Sequence, residues 1–174
     1  MSEKCQQRSS ANFSTHFFTI RMSSDPFNER SLCERLGGSA NLRLILANFT
    51  DEIKEDPVLA PFFTNVSISA LQTHHFKLFR VIFGPEEEQP DASEVQDYLL
   101  HTHRRLFQDL GLNETHFDKV ALCFVQGLQT MLIEQEIVDE CVEALVPLRA
   151  IFKHGAQMAA QEKTKRENSL HKVS

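Results

Sequence analysis

Two stretches of this chain set a histidine into a run of apolar residues at helical spacing, and that pairing narrows the folds open to it. In the helix predicted over Leu71–Phe83, with Ile68 just before it, Ile68, Leu71, His75, Leu78 and Ile82 share a face. In the helix predicted over Val95–Leu106, Val95, Leu99, His103 and Leu106 do the same. An imidazole resists burial unless a hydrogen bond or a coordination bond satisfies it. One such residue is ordinarily a satisfied core histidine. Two, on helices joined by a short acidic loop, point to a ligand shared between them. A flat, mostly apolar cofactor with a metal at its centre suits that space.

The rest of the chain reads as helices separated by breakers. A short helix with Leu32 and Leu36 stops at Gly37-Gly38, and Leu42, Ile45, Leu46, Phe49 and Ile53 form an amphipathic stripe that closes at Asp56-Pro57. Pro57–Phe63 reads as one tight turn, and Ser67 or Ser69 is placed to cap the first histidine helix, which ends at Gly84-Pro85. Asn113 opens a helix carrying Phe117, Val120, Phe124, Leu128 and Met131. The last helix carries Ile137, Cys141, Leu145, Leu148 and Phe152, with Pro147 as an internal kink. No stretch alternates as a strand would, so the expected fold class is all-α.

Length and charge set the outer bounds. The 174 residues suit one domain with a real core. A net charge of −6 argues against a nucleic-acid partner, and no apolar run approaches the roughly 20 residues of a membrane span. Residues 1–30 are rich in Ser, Phe, Asn and Gln without a period and read as a disordered extension, 31–157 as the folded domain, and 158–174 as a polar tail that is expected to fray from Lys163 on. Glu3 and Asp25 spoil a transit-peptide signature, so a cytoplasmic location is expected, with an N-terminal targeting extension as the lesser alternative. The four cysteines form no C-x-x-C pair, and the helical settings of Cys33, Cys123 and Cys141 suit reduced, buried thiols. Fourteen Phe beside one Tyr and no Trp make an interior with few polar handles. Nothing resembles a nucleophile elbow or a phosphate-cradling loop.

Taken in order, Leu36-Gly37-Gly38, Phe49, Asp56-Pro57, Leu59-Ala60-Pro61-Phe62-Phe63, Leu71, His74, Gly84-Pro85, His103-Arg104-Arg105-Leu106, Gly111-Leu112, His116-Phe117 and Val146-Pro147-Leu148 match a known pattern. From about Ser31 to Phe152 the chain resembles the truncated haemoglobins, the group I type most closely. The resemblance implies a two-on-two helical sandwich around haem b, with His103 as the proximal iron ligand. It departs from the family in the long loop Gly84–Ser93, which lacks the usual paired glycines.

The resemblance also implies roles for other residues. Phe63, Leu71, Phe79 and Leu99 are expected to line the haem. On the distal side Phe49 is kept, Thr50 stands where relatives carry a tyrosine that hydrogen-bonds bound dioxygen, and His75 stands where glutamine is frequent. His75 and Thr50 are therefore the expected ligand-stabilising pair. The bland alternative is that His75 simply packs, hydrogen-bonded to Thr50. His74 takes a position that in relatives contacts a haem propionate or closes the sixth coordination place, so either His74 or His75 is a candidate sixth ligand. The histidine that some relatives join covalently to haem aligns with Arg149, so no such cross-link is expected.

Simple helix geometry adds two points. The acceptor for the second ring nitrogen of His103 is expected one turn back, near Leu99. His101 points nearly opposite His103, about 200° around the helix, which weakens a zinc site built on His101-Thr102-His103. The functions implied are reversible binding of O2, NO or CO, including oxygen transport; nitric-oxide dioxygenation or redox and gas sensing through a six-coordinate haem, the former dependent on an external reductase; or a globin-like binding module that has lost haem.

Overall fold

A computed structural model describes residues 30–171; the expected N-terminal extension, apart from Arg30, and the last three residues lie outside the described residues. The chain forms α1 (Leu32–Arg35), α2 (Gly38–Glu55), a 3-10 turn (Ala60–Phe63), α3 (Ile68–Ile82), a second 3-10 turn (Glu86–Glu88), α4 (Ala92–Thr102), α5 (Arg104–Leu110), α6 (Glu114–Thr130) and α7 (Gln135–His171). No strand occurs among the described residues. None of these helices is long and apolar enough to cross a membrane.

Local chemistry sets most boundaries. Ser31 caps α1 through a reciprocal box with Glu34, Ser67 Oγ accepts from the Ala70 amide at 3.1 Å, and Asn113 opens α6 by accepting from Thr115 and His116. Gly37 adopts φ 93°, a left-handed conformation that turns the chain from α1 into α2.

α2 packs on α3 and α6, and α6 packs on α7, which also supports α1, α4 and α5. Phenylalanines join the layers. The Phe124 ring on α6 lies 4.5 Å from Phe79 on α3 and 5.6 Å from Phe49 on α2, with centroid spacings suited to tilted and edge-on aromatic pairs. Gly127 lets α6 approach α2: a Cβ there would sit 3.1 Å from the Phe49 amide nitrogen.

Two boundaries differ from the sequence reading. The second histidine helix is not continuous, because His103 (φ −99°, ψ 7°) ends α4 and precedes α5. The last helix does not fray at Lys163 but continues to His171. Gln108 Nε2 on α5 donates to Glu162 at 2.6 Å, and Ala159 packs beside Phe107, so α5 braces that extension.

Candidate functional site

A cleft lined almost entirely by apolar side chains and partly open to solvent lies among α2, α3, α4, α6 and α7. Phe49, Phe63, Leu71, Phe79, Leu99, His74, His75 and His103 all line it, so eight of the nine residues singled out from the sequence converge on one space. Thr50 is the exception. Its hydroxyl donates to the Leu46 carbonyl one turn back at 2.7 Å, the habitual partner of a buried mid-helix threonine. It neither reaches the cleft nor serves as the pair for His75.

The three imidazoles form a cluster. The His74 ring lies 5.5 Å from His103 and 5.6 Å from His75, between centroids, while His75 packs 4.8 Å from Phe49. His103 Nδ1 is 2.9 Å from the Leu99 carbonyl, the acceptor expected from helix geometry. With the proton on Nδ1 donated there, Nε2 keeps its lone pair for a metal. Burial holds His103 below the usual histidine range, opposed only by the Leu99 hydrogen bond. Burial, then the neighbouring His103, brings His74 down to about 4, and burial, then His74 and His103, brings His75 down to about 3. All three rings are neutral near pH 7, the form that coordinates metals.

Two further contacts complete the site. His74 Nδ1 is 3.0 Å from the Tyr98 hydroxyl, a pairing no periodicity in the sequence indicated. His75 Nδ1 is buried without a hydrogen-bond partner. Such a group costs about 1–3 kcal/mol, so its retention points to a guest that the site is built to meet. His101 is exposed, and no cluster of three or more His, Cys, Asp or Glu suited to a metal ion occurs among the described residues. The donor set therefore does not fit a protein-only zinc centre. It fits haem: one neutral, backbone-oriented histidine in an apolar cleft, facing further imidazoles.

Residues outside the cleft behave as structure. Arg149 pairs with Asp118 at 2.7 and 3.0 Å. Cys33, Cys123 and Cys141 are buried free thiols, and burial pushes Cys141 up to about 12, which leaves it inert. Leu78 and Phe124 also line the cleft, whereas Leu128 and Met131 belong to the packed core around it.

No family model matches the chain. It is 26% identical over 110 residues to the group 1 truncated haemoglobin GlbN of Synechocystis sp., spanning 63% of this chain and 85% of that protein. Among solved structures it superposes on Chlamydomonas reinhardtii THB4 with a TM-score of 0.60 and 32% identity, covering 71% of this chain and 94% of THB4. It also superposes on the 2/2 haemoglobin of Synechococcus sp. PCC 7002, with a TM-score of 0.61 and 28% identity over 70% of this chain and 97% of that one. With this fold and this site, the chain belongs to the group 1 truncated haemoglobin family.

Proposed function

We propose that this protein would hold haem b through His103 and bind O2, NO and CO reversibly at its iron. The observation that carries this reading is the hydrogen bond from His103 Nδ1 to the Leu99 carbonyl, made inside an apolar cleft. It fixes both the ring plane and the tautomer, the two things a proximal ligand needs from its surroundings. Haem supplies the iron at which a diatomic gas binds.

The chain's own residues do the rest. Leu71, Phe63, Phe79 and Leu99 exclude water from the cleft and pack the apolar faces of the guest. His75, wedged against Phe49 with an unpartnered Nδ1, presents a polar group to a small ligand held beside it. A hydrogen bond of that kind is worth about 1–3 kcal/mol. Thr50 takes no part.

A second reading draws on the 5.5 Å spacing of the His74 and His103 rings. His74, with Nδ1 engaged by Tyr98, has Nε2 left for the sixth place, whereas His75 lacks any partner at Nδ1. We therefore assign the internal sixth ligand, in the gas-free state, to His74. Apparent gas affinity then falls by the fraction of molecules in which His74 is bound.

The test is the visible spectrum of the haem-loaded protein. His103→Ala should lose its Soret band on desalting, and His74→Ala should convert a low-spin, split α/β ferrous spectrum into a broad five-coordinate one. Retention of a normal Soret band by His103→Ala would overturn the proximal assignment.

A further inference from the structure

We propose that Tyr98 is a positioning residue for the internal sixth ligand: its phenol fixes the His74 imidazole so that Nε2 faces the haem. This rests on the assignment of His74 to the sixth place. The Tyr98 oxygen lies 3.0 Å from His74 Nδ1, and the two ring planes differ by only 22° with centroids 5.9 Å apart, so both the edge and the tilt of the imidazole are held.

The placement on α4 gives this contact its meaning. Tyr98 and Leu99 are consecutive. Leu99 accepts from His103 Nδ1 through its backbone carbonyl, while Tyr98 reaches His74 Nδ1 through its side chain. Adjacent residues of one helix thus orient the two imidazoles that lie 5.5 Å apart across the cleft.

With the proton on His74 Nδ1, that N–H donates to the phenolic oxygen and Nε2 carries the lone pair. An acceptor at the far nitrogen also raises the basicity of the ligating one. His75, next along α3, has no such partner, so the protein orients one of the two neighbouring histidines and leaves the other to a guest. Tyr98 is half-exposed and is the only tyrosine in the chain. Burial alone therefore does not account for its hydroxyl being aimed at His74.

The decisive comparison uses the full-length, haem-loaded protein with Tyr98→Phe, which keeps the ring and deletes the hydroxyl. Loss of an oriented second partner typically weakens a metal–ligand bond by about 10–100-fold. Tyr98→Phe should accordingly show a smaller low-spin fraction, a raised ferric/ferrous midpoint potential and CO binding at least about tenfold faster, because His74 vacates the iron more readily. Haem retention and thermal unfolding should match the wild type. Wild-type CO kinetics and low-spin fraction in Tyr98→Phe, with His74→Ala fully five-coordinate, would overturn the role of Tyr98 alone. A His74→Ala protein that stays low-spin would overturn the His74 assignment and this proposal with it.

Discussion

Replacing His75 with leucine separates what that residue costs the fold from what it contributes to the site. Its ring is 8% exposed, its Nδ1 has no partner, and burial together with His74 and His103 holds it near 3, far below the value of about 6.5 it takes in the unfolded chain. Below pH 6.5 the unfolded chain therefore binds a proton that the folded chain refuses. Stability is intact above that pH and declines as the pH falls toward the folded value. The slope is about 1.4 kcal/mol per pH unit for one proton, which amounts to about 2 kcal/mol between pH 6.5 and 5. His74, held near 4, adds a decline of nearly the same size over this interval, because both rings stay neutral in the folded chain down to pH 5.

Urea unfolding of the haem-free protein at several pH values should show this decline, and His75→Leu should be flatter by about 2 kcal/mol across the same interval. At pH 7 the variant should be about 1–3 kcal/mol more stable, since an unsatisfied polar atom has been removed. In the haem-loaded form it should release O2 roughly 5–150-fold faster, the equivalent of losing one hydrogen bond of about 1–3 kcal/mol. Parallel stability curves for the two proteins between pH 6.5 and 5 would refute the claim that His75 is buried neutral.

Two further predictions concern the frame around the cleft. Arg35 and Glu140 form a paired contact between α1 and α7, with side chains 4% and 11% exposed, so Arg35→Met should cost about 3–5 kcal/mol by removing the buried charge that this carboxylate pairs with. Chemical denaturation would measure this, and Arg35→Met/Glu140→Leu should recover most of the loss. Gly155 faces the Phe107 ring so closely that a Cβ would lie 2.5 Å from two ring atoms; Gly155→Val should lower stability by about 1–3 kcal/mol and broaden the Soret band by displacing α5.

The helical class and the convergence of His75 and His103 were legible in the sequence, because period 3.6 and the breakers Gly37-Gly38, Asp56-Pro57 and Gly84-Pro85 are local signals. The Leu99 acceptor was legible too, since a ring nitrogen reaching back one turn is fixed by helix geometry. The break at His103 was not. His-Arg-Arg-Leu contains no Gly or Pro, and the two helices on either side of the break each pack on α7, a tertiary arrangement that no local signal encodes. Thr50 was read from its alignment with a tyrosine, whereas its own chemistry, a short hydroxyl beside the Leu46 carbonyl, decided its fate. Tyr98 meets His74 from a different helix, and no spacing within one chain segment encodes such a contact. The helical end of α7 carried a signal that charge obscured: Met158–Glu167 holds Ala, Gln, Glu, Lys and Arg without Gly or Pro, a composition of strong helix formers.

The interruption at His103 has a mechanical consequence. A ligand in the middle of a helix inherits its aim from a single rigid rod, but His103 stands at a joint where two short rods meet, each seated separately on α7. Its pointing direction is thus the resultant of two independent seatings. One is set around Leu99 above the joint, the other around Phe107 against Gly155 below it. Substitutions at either seating can steer the imidazole by small angles while leaving every cleft-lining side chain untouched. The grip on a guest can in this way be adjusted from the back of the molecule, one limb at a time.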